Sequence, residues 1–217
     1  PGPVSDLSAV REATCIHTKK IFDSCQSKDC IEDLRLYPTQ SSQPIIDQAL
    51  SVKAGRARLL YTLVNVEPMG LNRGFFTVDL RYYYKITCDA FTGCTRPMQI
   101  SGLAVFDKRA ILFGSESTAK SFSSMTGCPE LTEDMVLTND LPTAVVEAVD
   151  PIILSMRLCN VCERPMCGEC ALTEVPAAIQ AAFDEPISLE NNTVRRIYLS
   201  LGQFSILRME RDAHLLI

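Results

Sequence analysis

From Phe76 to Asp89 the chain alternates between two kinds of side chain. The even positions are Phe76, Val78, Leu80, Tyr82, Tyr84, Ile86 and Cys88. The odd positions are Thr77, Asp79, Arg81, Tyr83, Lys85, Thr87 and Asp89. A period of two puts the first set on one face of an extended strand and the second set on the other. A helix does not fit, because Asp79, Arg81 and Lys85 do not gather on one side at 3.6 residues per turn. The segment therefore predicts a long half-buried antiparallel strand, where about five or six residues is usual.

Shorter runs of the same kind surround it. Arg58 to Glu67 puts Leu60, Thr62, Val64 and Val66 on one face. Thr14 to Ser24, Ile45 to Lys53, Val145 to Val149 and Ile152 to Leu158 also read as strands, although Asp47 to Leu50 suits a helical turn as well. Met98 to Phe106 and Ala110 to Phe113 flank the polar step 107–109, which predicts a hairpin. Arg195 to Arg211 is interrupted by Gly202 and reads as two strands or one bulged strand. Ile31 to Leu36 is ambiguous. Pro68-Met69-Gly70, Asn72-Arg73-Gly74 and Thr92-Gly93 supply turn chemistry between the runs. Helix is sparse; Pro176 to Phe183 is the best helical turn, with proline near a permitted helix start. The fold class this predicts is all-β, an antiparallel sandwich or jelly-roll-like arrangement with little helix. Residues 1–14 read as a polar N-terminal arm, and residues 15–217 as a single domain carrying a cysteine-rich loop at 159–170.

With 217 residues, 47% of them hydrophobic and 22% charged, the chain has the composition of a folded globular protein. The net charge of −5 and the scarcity of basic doublets argue against nucleic acid as a partner. No uncharged apolar run approaches the roughly 20 residues of a membrane-spanning helix. No signal peptide is visible at the start.

Cysteine is the anomaly. Ten occur: Cys15, Cys25, Cys30, Cys88, Cys94, Cys128, Cys159, Cys162, Cys167 and Cys170. That is high for a reducing compartment unless a metal is bound. The last four follow C-x2-C-x4-C-x2-C, and four thiolates are what a tetrahedral zinc site takes. The four-residue spacer is shorter than the roughly 15–20 residues of a common zinc ribbon, so a disulfide-stapled loop and thiols bridging to another subunit stand beside zinc. Cys25 and Cys30 read as closing a small loop around Ser27-Lys28-Asp29. Cys88 and Cys94 read as flanking a hairpin tip, with Cys88 also the best choice for a buried, inert thiol. The cysteines read as lying mostly in turns and at strand ends, which favours cross-linking over packing. Tyr83, on the outer face of its strand, is either packing or a contact surface.

Enzyme signatures are missing. His17 and His214 are the only histidines and show no metal-ligand spacing. There is no phosphate loop and no nucleophile elbow, and the carboxylates are scattered. The expectation is a protein that is not an enzyme and takes no cofactor, with zinc at Cys159, Cys162, Cys167 and Cys170 as the alternative.

Several stretches together resemble a family of cysteine-rich proteins from spore-forming clostridia and their relatives. They are CIHTKKIFDSCQSKDC (Cys15 to Cys30), IEDLRLYPT (Ile31 to Thr39), GFFTVDLRYYY (Gly74 to Tyr84), AILFGSE (Ala110 to Glu116), NDLPT (Asn139 to Thr143), the late cysteine cluster, and YLSLGQFSIL (Tyr198 to Leu207). The resemblance covers nearly the whole chain. It implies a protein of the spore surface or the extracellular space. Such a protein folds reduced inside the mother cell and meets oxidants when that cell lyses. The function this predicts is a structural subunit of a coat, exosporium or filament, whose partners are copies of itself and other spore-surface proteins. Its cysteines, Cys15, Cys25, Cys30 and the last four above all, would supply the cross-links.

Overall fold

The computed structural model describes residues 14–93, 96–116, 141–161, 172–190 and 193–216. In chain order the elements are β1 (Cys15–Arg35), β2 (Tyr37–Pro38), α1 (Ser42–Gln48), β3 (Ser51–Pro68), β4 (Phe75–Phe91), β5 (Met98–Phe113), β6 (Thr143–Ala148), β7 (Ile152–Asn160), α2 (Ala177–Gln180) and β8 (Arg195–Leu216). The protein is all-β, built from two antiparallel sheets. The first sheet has β8 at its centre, with β1 along one edge and β6 and β7 end to end along the other. The second runs in the order β2-β5-β4-β3.

The predicted alternation holds in β4. Every even residue from Phe76 to Cys88 is buried. These side chains join Ile197, Leu199, Leu201, Leu207 and Met209 of β8 in one apolar core fed by both sheets. Tyr82 crosses between the sheets, donating its hydroxyl to Ser205 Oγ at 3.2 Å. Its ring stacks on Tyr84 and Phe106 at centroid distances of 6.1 and 6.0 Å.

Side chains also close gaps that the ladders leave. The edge amide of Phe113 donates to Asp23 Oδ2 at 3.0 Å, and that of Leu59 donates to Asp150 Oδ1 at 2.9 Å. Both carboxylates come from the first sheet or the turn beside it, so each occupies an edge donor that would otherwise invite another strand. At the break between β6 and β7, buried Gln203 donates to the carbonyls of Val149 and Phe204.

Four expectations are corrected. The segment 107–109 is not a hairpin, because β5 runs unbroken through it. Asp107 and Arg109 lie on the outer face, in bidentate pairs with Arg81 and Asp79 of β4. Lys108 turns inward and binds Asp29 of β1 at 2.5 Å. Ile45 to Gln48 is helical, and β3 starts only at Ser51. Leu60 does not face the core with Val64 and Val66, because a register shift between Leu59 and Tyr61 turns it to the outer side. Gly202 neither breaks nor bulges β8; the irregularities fall in its partners, between Ile31 and Leu34 and between Ile153 and Ser155. Asp33, inside the first of these, has φ 54.

Tyr83 is packing rather than a bare contact surface. It lies on the outer face of the second sheet but is only 3% exposed. The segment around α2 covers it, placing Ile179, Phe183 and Ile187 in a second, smaller cluster with Tyr37 and Leu103. Lys85 secures that cover, donating to Ala182 O at 2.8 Å with its ammonium 5.0 Å from the centre of the Phe183 ring.

Candidate functional site: exposed thiols and the outer face of the first sheet

The sequence placed its cysteines mostly in turns and at strand ends. The five described ones all lie in strands, and three of them are in strand interiors. Cys15 opens β1 and is exposed. Cys25 is half-buried on the inner side of β1, beside Ser27 Oγ at 4.0 Å. Cys30 lies further along the same strand and is exposed. Cys88 is 1% exposed, on the core side of β4. Burial, helped by the Asp89 carboxylate, pushes its thiol up to about 12. This is the inert thiol the sequence suggested. Cys159 is half-buried near the end of β7, opposite Arg196. Cys94, Cys128, Cys162, Cys167 and Cys170 lie outside the described residues, as do most of the 159–170 loop and all of the 1–14 arm except residue 14.

The expected small loop between Cys25 and Cys30 does not exist, because both belong to one extended strand. Five residues of strand separate their Cα atoms by about 17 Å, against the roughly 4.4–6.8 Å a disulfide spans. The same arithmetic puts Cys15 and Cys30 about 50 Å apart. Cys159 lies two strands away from Cys30 and seven residues along, beyond about 20 Å. Among the described residues no cysteine is placed to pair with Cys30, and all five are free thiols. Among the same residues no group of three or more His, Cys, Asp or Glu is arranged to hold a metal ion. Of the four predicted zinc ligands only Cys159 is described.

Register sets the surroundings of Cys30. It pairs with Gly202 of β8, which pairs in turn with Ile152 of β7. Its neighbour Ile31 is buried on the core side, so this row of three points outward. Glycine leaves the middle of the row bare, and the nearest neighbour of a Cβ there would be the Leu154 side chain, at 3.7 Å. Ile152 is 70% exposed, and Val149 and Leu154 are exposed beside it. The outer face of the first sheet thus carries a solvent-facing thiol next to an aliphatic strip. The sequence showed Cys30 and Gly202 separately; only the register brings them together.

The outer face of the second sheet offers an open groove beside Tyr37, Leu63, Arg81 and Asp107. Within it Arg81 grips Asp107 through two bonds of 2.6 and 2.8 Å. Among the described residues no helix is long and apolar enough to cross a membrane. No family model, curated protein or solved structure matches the chain.

Proposed function

We propose that the chain is a structural subunit that associates with copies of itself and is locked by disulfides between copies, at a spore surface or in the extracellular space. The observation that carries this reading is the placement of Cys30. Its thiol faces solvent in the middle of a long strand, beside an exposed aliphatic strip, and has no described cysteine within reach. A second subunit seated on that strip buries apolar area and brings its own cysteine to Cys30. Cys15, exposed at the start of the same strand, gives a second attachment far from the first, so that links can propagate beyond a dimer. Other spore-surface proteins with exposed thiols can join by the same chemistry. The subunit needs no catalytic group and no cofactor for this role.

The test is electrophoresis of the full chain after mild oxidation, with and without reductant, beside electron microscopy of the oxidised sample. The expected result is a ladder of multimers that collapses on reduction and is shortened by Cys30→Ser but not by Cys88→Ser. An oxidised chain that stays monomeric, with its thiols paired internally or holding stoichiometric zinc, overturns the reading.

A further inference from the structure

The two histidines stand almost a chain length apart in sequence, yet the pairing of β1 with β8 places them directly opposite each other, His17 against His214. Directly opposed residues on an antiparallel pair point to the same side, with Cβ atoms about 4.5–5.5 Å apart. The two imidazole rings lie 5.1 Å apart between centroids, tilted by 38°. We infer that His17 and His214 form a chelating clip for a divalent transition-metal ion of the zinc, nickel or copper type, using none of the late cysteines.

The spacing argues for this directly. A zinc–imidazole bond of about 2.0–2.1 Å puts the ring centre about 3.2 Å from the metal, so two rings at the tetrahedral angle have centroids about 5.2 Å apart. The observed centroid separation of 5.1 Å matches that value. Imidazole is the ligand that suits zinc, copper and nickel alike. An oxygen donor stands next to the pair, with Asp212 Oδ1 4.0 Å from His17 Nε2. Asp212 is two residues from His214 and on the same face, as Cys15 is relative to His17. The nearest cation on that face, Lys19, leans towards Glu210 at 3.8 Å. The His17 and Asp212 side chains are 60% and 66% exposed, so a cation reaches them from solvent. As the side chains stand, no third donor joins the two imidazoles, since no group of three or more His, Cys, Asp or Glu among the described residues is arranged to hold a metal ion. Water, or Asp212 after a rotamer change, completes the coordination.

The experiment uses the untagged full chain with its thiols blocked by iodoacetamide, which removes Cys15 and the late cluster as competing ligands. Calorimetric titration with nickel chloride and with zinc chloride near neutral pH should show one equivalent bound. His17→Gln and His214→Gln should each weaken that binding by roughly tenfold or more. A metal that binds only the folded chain raises its melting temperature, so zinc should raise that of the parent and not that of either variant. Because the substitutions are at exposed positions, the variants should melt like the parent without metal, which separates lost chelation from lost folding. No binding by the blocked parent overturns the inference, and so does binding that both variants retain in full.

Discussion

The contact between Tyr82 and Ser205 is the sharpest test of how the two sheets face each other. Tyr82 is fully buried and Ser205 nearly so, and the 3.2 Å bond joins β4 of one sheet to β8 of the other. Burial raises the Tyr82 phenol above its ordinary value, so it remains a donor at all moderate pH. Tyr82→Phe keeps the ring and its stacking but leaves the serine hydroxyl without this donor, at a cost of about 1–2 kcal/mol. Ser205→Ala leaves the buried phenol without its acceptor, at about 1–3 kcal/mol. The double variant removes both groups and leaves neither stranded, so it should be more stable than the sum of the two losses implies, by about 1 kcal/mol. For a chain of this size each kcal/mol moves the melting temperature by about 2–4 °C. Urea unfolding under reducing conditions, followed by far-UV circular dichroism, measures all four corners of the cycle. Losses that add to within about 0.5 kcal/mol refute this hydrogen bond between the sheets.

Two further outcomes follow from the geometry. Cys88 is protonated in the fold up to about pH 12, against an ordinary value of 9.0. Between those values the unfolded chain gives up this proton and the folded chain keeps it, so stability falls as pH rises through that window. Cys88→Ala should flatten that part of the stability–pH curve measured by denaturant titration; an unchanged slope refutes the assignment. At Gly102 an added Cβ would lie 2.6 Å from Tyr37 O and 2.9 Å from Pro38 Cα. Gly102→Ala should therefore push β2 off β5 and destabilise by about 1–3 kcal/mol, with faster amide exchange at Thr39, whose N–H bonds to Ser101 O.

Where one face was apolar and the other polar, the strands were legible. β4 was read nearly to its ends, because every even position is buried in the core and most odd positions are polar. β5 was misread at Asp107-Lys108-Arg109, where three charges in a row imitate a turn. The outer two meet opposite charges on β4 and the middle one meets Asp29 across the core. Those partners come from other strands, so local reading had no access to them. The same limit hid the Cys30–Gly202–Ile152 row and the histidine pair, which exist only through register. Cys25 and Cys30 looked like a loop because Ser-Lys-Asp is turn-like in composition, while pairing with β8 holds the segment extended. Tyr83 was placed correctly on the outer side, but nothing near it announced that Ile179 and Phe183, far along the chain, would cover it.

The first sheet joins the first and last described strands in chain order, with β8 in the middle and every other member bonded to it. During synthesis β1 leaves the ribosome long before the strand it needs. Contacts of such wide sequence separation form late. Until β8 arrives, the β1 backbone and the sulfurs of Cys15, Cys25 and Cys30 are open to any neighbouring nascent chain. Under reducing conditions those sulfurs stay thiols until the central strand has docked, after which Cys15 and Cys30 remain exposed and Cys25 is half-buried.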